Sequence, residues 1–181
     1  MSLFLATLLP GLCLALLGAL LLWNDPRVSS TARALPRSKR GANIFFGLGT
    51  LWFIWRLTKL GEADLIFVQT PTMIVVGFGL LAVLSFFYTP DFLAVRGLSI
   101  LMLLAAEPLL YAAYMEWTHP LRLLMVSAVY VGLAVALYLA AAPYRLRDFF
   151  EWLFLRPGRV RIAGVTLLLY GLATSAAAFS Y

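Results

Sequence analysis

Apolar runs of about twenty residues, separated by short polar breaks, recur from one end of the chain to the other. A helix rises 1.5 Å per residue, so about twenty apolar residues match the ~30 Å hydrocarbon core of a bilayer. The pattern therefore predicts membrane spans rather than soluble helices with one polar face. Six are read: Leu3–Trp23, Ala42–Leu60, Leu65–Tyr88, Gly97–Tyr114, Leu121–Ala142 and Ile162–Tyr181. The fold class expected is an all-α integral membrane bundle of about six transmembrane helices, forming a single domain over 1–181. No Lys or Arg precedes the first run, which is longer than a signal-peptide core and has its positive charge behind it, so a retained helix is expected.

The second span is the weakest. Only Gly41 to Trp55 is free of charge, about 22 Å of helix, so Arg56 and Lys59 must snorkel outward for it to cross. The distribution of charge decides for it. With six spans, eleven Lys and Arg fall on one side, and Arg56, Lys59 and Arg122 make three on the other. If the second span did not cross, the split would be eight to six, almost no bias. The positive-inside rule favours the first arrangement and places both termini outside the cytoplasm.

Most of that charge lies in two polar stretches, 24–40 and 143–161, read as basic cytoplasmic loops. Within the second, Leu146, Phe149, Phe150, Leu153 and Phe154 share one helical face, while Arg147, Asp148 and Glu151 lie on the other. This predicts a short amphipathic helix in the interface before the last span, ended by Pro157-Gly158. Arg33, Arg37, Lys39, Arg40, Arg145, Arg147, Arg156, Arg159 and Arg161 are the expected contacts to anionic lipid headgroups. Trp23, Trp55, Tyr88, Tyr114, Trp117, Tyr144 and Trp152 fall near span ends, as an aromatic belt does.

Composition agrees with this picture. The 181 residues are 63% hydrophobic and 12% charged, with a mean hydropathy of +0.93; a soluble domain carries about 25% charge. The net charge of +6 is explained by topology, and no nucleic-acid partner is expected. The bilayer is the expected partner, with other membrane subunits or self-association beside it. The bacterial inner (plasma) membrane is the expected location. Cys13 is the single cysteine and is read as apolar packing.

The search for reactive chemistry is negative. No nucleophile elbow, metalloprotease helix or phosphate-cradling loop is present, and His119 stands by itself beside a proline. No enzyme activity, metal or cofactor is expected. Gly47, Gly49, Gly77, Gly79 and Gly164 lie in spans and are read as close-packing positions. One side chain stands apart. Glu107 is the only ionisable residue well inside a span, and Pro108 after it frees the Leu104 carbonyl. No basic residue of the chain is expected in the core to pair with it. At ~10 Å depth it shares a level with Thr72, with Gln69 and Thr70 just above, and Pro10, Ser127 and Ser175 lie within about a turn. Glu107, Gln69, Thr70, Thr72 and Ser127 form the candidate ion, proton or ligand site. The functional expectation is a structural or accessory subunit of a membrane complex; the alternative is a small proton- or cation-coupled transporter or channel using Glu107.

Overall fold

The computed structural model describes residues 1–23, 25–60 and 70–181. Among the described residues the fold is all-helical. Four helices are long and apolar enough to cross a membrane: α1 (Leu3–Trp23), α6 (Leu93–Ala113), α7 (Arg122–Ala141) and α9 (Pro157–Ala178). By length and composition, these are the candidate membrane spans among the described residues. Between α1 and α6 lie α2 (Pro26–Ala34), a 3-10 turn at Leu35–Arg37, α3 (Lys39–Gly41), a π-helical turn at Ala42–Phe46, α4 (Gly47–Leu57) and α5 (Pro71–Tyr88). Helix α8 (Tyr144–Phe154) precedes α9.

Several expected bounds shift. The segment 24–40 is not a plain loop. Asp25 accepts from the Arg27 amide at 2.7 Å, and Pro26 sits in the first turn, so the two start α2. Pro157 does not merely end the amphipathic helix; it opens α9, which puts Arg159 and Arg161 on that helix's first turns rather than in a loop before Ile162. The expected third span began at Leu65, and its first five residues lie outside the described part.

Two helix pairings set the architecture. Helices α1 and α9 run antiparallel in constant register: Gly11 lies against Ser175, Ala15 against Gly171, Gly18 against Leu168 and Leu22 against Gly164. A Cβ on Gly18 or Gly171 would collide with the facing backbone, so these glycines permit the close approach. Phe4 meets Phe179 edge-on at 5.4 Å, which brings the two chain ends together. His119 packs against Tyr181, placing the α6–α7 connection at this same terminal end.

The second pairing joins α4 to α6, which run parallel. Phe46 lies against Gly97 and Gly49 against Ile100, a constant offset of 51 positions. The π turn pushes its backbone at Phe45 and Phe46 onto Gly97, where no side chain fits. Helix α7 returns beside α6, with Ala106, Ala113, Met125 and Val129 buried in one cluster together with Ala6 of α1. The Arg122 guanidinium donates to the Ala113 carbonyl at 2.6 Å, satisfying the end of α6, and stacks on Trp117.

Helix α5 stands apart. It packs on the π turn through Phe46–Phe86 and on α4 through Phe53–Phe78, both edge contacts at 5.2 Å, and none of its described side chains is buried. Gly77 and Gly79 face open space, as does Gly47 on α4. The expected packing role therefore holds for Gly49 and Gly164 and not for these three. Cys13 is likewise exposed rather than packed.

Candidate functional site

Charge inside the bundle is concentrated where α4 and α6 run side by side. The 51-residue offset places Arg56, in the last turn of α4, beside Glu107 on α6, and the guanidinium donates to Glu107 Oε2. This corrects the expectation that no basic residue of the chain could reach Glu107. Arg56 was expected to snorkel to the surface; instead its long side chain crosses to the neighbouring helix. Both groups stay partly open, at 42% and 59% side-chain exposure.

The other candidate residues are not drawn to Glu107. Ser127 faces the other way: its Oγ donates to the Leu123 carbonyl at 2.8 Å and lies 2.7 Å from Tyr170 Oη on α9. That phenol donates in turn to the Leu124 carbonyl. Thr70 and Thr72 are exposed at the start of α5, and no hydrogen bond joins them to Glu107 among the described residues. Gln69 lies outside the described residues. Ser175 is buried against Gly11, its Oγ without a hydrogen-bond partner among the described residues.

Two apolar grooves flank the α4–α6 pair. One, of about 450 Å³, lies between α1, α6 and α7 and is lined by Pro10, Cys13, Met102, Ala106, Val129 and Gly132, with Trp52 of α4 at its edge. The other, of about 430 Å³, lies between α4, α5 and α6 and includes Phe53, Phe78, Ala82, Leu103 and Leu104. Phe53 is one helical turn from Arg56, and Leu103 and Leu104 are one turn from Glu107. The ion pair itself lines neither groove; it lies about one helical turn beyond Phe53, Leu103 and Leu104 of the second.

The opposite end of the bundle carries the basic residues. Several of the expected headgroup contacts have partners within the chain. Arg33 lies over Phe154 and Arg37 over Phe92, while Arg159 stacks on Trp152 at 4.4 Å and donates to its carbonyl at 2.9 Å. Arg145 lies over Tyr144. Arg147 donates to Asp148 at 2.7 Å and lies near Glu151; the Asp148 hydrogen bond and charge raise the guanidinium above its ordinary value. Lys39, Arg40, Arg156 and Arg161 are without ion pairs among the described residues. As expected, α8 is amphipathic. It seats Leu153 at 2% exposure and leaves Phe149 and Trp152 outward.

Among the described residues no cluster of three or more His, Cys, Asp or Glu has a geometry that holds a metal ion. No protein-family model matches the chain, and no curated protein or solved structure does either.

Proposed function

We propose that the protein is a six-span membrane protein of the bacterial plasma membrane, with both termini outside the cytoplasm, serving as a structural or accessory subunit of a membrane complex. The observation that carries this reading is α5. Eighteen residues long, it extends about 27 Å, buries none of its described side chains and leaves Gly77 and Gly79 open. The two glycines point to different sides of the helix, about 200° apart, and a small residue on an open side admits a close-packed neighbour within the bilayer. The helical run from Lys39 through the π turn to Leu57 extends about 28 Å, which supports the second crossing. The matched charges of Arg56 and Glu107 support a scaffold, since the intramembrane carboxylate already has a cation from its own chain.

Purification of the tagged protein from its native membrane in mild detergent tests the reading. A partner at near-stoichiometric yield is expected, lost on Gly77→Leu together with Gly79→Leu. A homogeneous monomer would remove the main support. The substantial exposure of Glu107 keeps a second reading in view, a proton- or cation-coupled carrier. In that case Glu107→Gln abolishes flux in liposomes while expression and assembly persist.

A further inference from the structure

Helix α8 is held at both ends by candidate spans. Helix α7 ends at Ala141 and α8 begins at Tyr144; α8 ends at Phe154 and α9 begins at Pro157. Two-residue junctions keep both of its ends level with the ends of α7 and α9, so α8 lies along the membrane boundary instead of projecting from it. Its eleven residues extend about 16 Å in that plane, well short of a ~30 Å crossing.

The surface of α8 is divided. Leu153 is buried against the bundle, while Phe149 and Trp152 are exposed and their rings stack at 6.1 Å. Arg159, in the first turn of α9, covers Trp152 at 4.4 Å and donates to its carbonyl, which fixes a guanidinium beside the outward ring. The Arg159 amide donates to the Arg156 carbonyl at 3.0 Å, keeping these two arginines on one turn. Arg156 is exposed and makes no ion pair among the described residues. The two acids of α8 are taken up elsewhere: Asp148 accepts from Arg147 at 2.7 Å, and Glu151 lies 3.8 Å from the same guanidinium.

Outward rings beside guanidiniums suit the level where hydrocarbon gives way to headgroups. There the rings meet acyl carbons, and arginine makes paired hydrogen bonds to phosphate. An acidic soluble segment would answer the arginines but not the exposed rings. With Asp148 and Glu151 held by Arg147, the site offers cations and no free acid of α8 to receive an ammonium, so a headgroup of net negative charge is favoured.

We infer that α8 and the first turn of α9 bind an anionic phospholipid from the leaflet at the basic end of the bundle. Its phosphate lies on Arg156 and Arg159, and its upper acyl carbons lie against Phe149 and Trp152. This rests on the reading of α7 and α9 as membrane-spanning. It depends neither on which side the termini face nor on a partner subunit, so reversed topology or a solitary protein would leave it standing.

The test is native mass spectrometry of the purified full-length protein with dioleoyl phosphatidylglycerol, phosphatidylcholine or phosphatidylethanolamine at equal concentration. The expected result is a phosphatidylglycerol adduct several-fold more abundant than either other adduct. Arg156→Gln together with Arg159→Gln should remove most of that preference, and Trp152→Ala should weaken it. Lys39→Gln together with Arg40→Gln, which removes the same charge from the same end of the bundle, should leave it in place. Should the Arg156 and Arg159 variant fail to fold, a phosphatidylglycerol with a photoreactive headgroup reads the site on the wild-type chain, with crosslinks expected within 144–159. Equal adducts of all three lipids, equal losses from the two double variants, or crosslinks confined to other segments would each overturn the assignment.

Discussion

At the scale of single residues the Arg56–Glu107 pair joins two parallel helices by one hydrogen-bonded contact. Removing either partner leaves a charge facing apolar walls, and interhelical polar contacts in membranes contribute about 1–2 kcal/mol at most. Arg56→Gln or Glu107→Gln should therefore lower thermal stability in detergent by roughly that amount. The exchange of the two, Arg56→Glu with Glu107→Arg, should recover most of it; an exchange no better than the single variants would argue against a direct contact. Ser175 works in the opposite direction. Its buried hydroxyl has no partner among the described residues, and an unpaired buried polar group costs about 1–3 kcal/mol. Ser175→Ala is expected to be neutral or stabilising in the same unfolding measurement. Glu107 was legible in the sequence as the one acid inside a span. Its partner was not, because the pairing follows from the register of α4 on α6, which the Gly97 contact at the π turn fixes and no local pattern records.

At the scale of elements the helices themselves were largely legible. The first span was read with the bounds it has, and the two after Leu93 that flank the His119 connection differ by a few residues. Leu153 shows why the amphipathic helix was readable: its apolar face repeats at helical spacing, and Leu153 is the member of that face that is buried, while Phe149 points outward. The start of α9 was misread for a physical reason, since a proline both ends one helix and suits the first turn of the next. Which glycines matter was less legible still. Gly18, Gly97 and Gly171 touch facing backbone, whereas Gly77 and Gly79 touch nothing, and sequence treats them alike. Gly171→Leu should force α1 and α9 apart and abolish the folded monodisperse species on size exclusion, while Gly158→Leu, at an open position, should leave it intact.

At the scale of the whole molecule, hydropathy and charge pointed to a helical membrane bundle, and the four long apolar helices agree with that. The proposed topology, with both termini outside the cytoplasm, predicts a simple labelling pattern. In a Cys13→Ala background, single cysteines replacing Ser2 or Thr118 should react with a membrane-impermeant maleimide added to intact cells. A cysteine replacing Ser30, exposed on α2, should react only after permeabilisation. Labelling of all three from one side would rule the topology out.

The pairing of α1 with α9 also bears on how the chain is made. Thr7 and Tyr181, in contact across this seam, are 174 positions apart. During synthesis α1 is made with its glycine face uncovered, and that face stays open until α9, the last helix, has been made. The contacts between the first and last spans are then the last to close. A chain interrupted before Pro157 would leave the glycine face of its first helix open, with backbone exposed where α9 otherwise covers it.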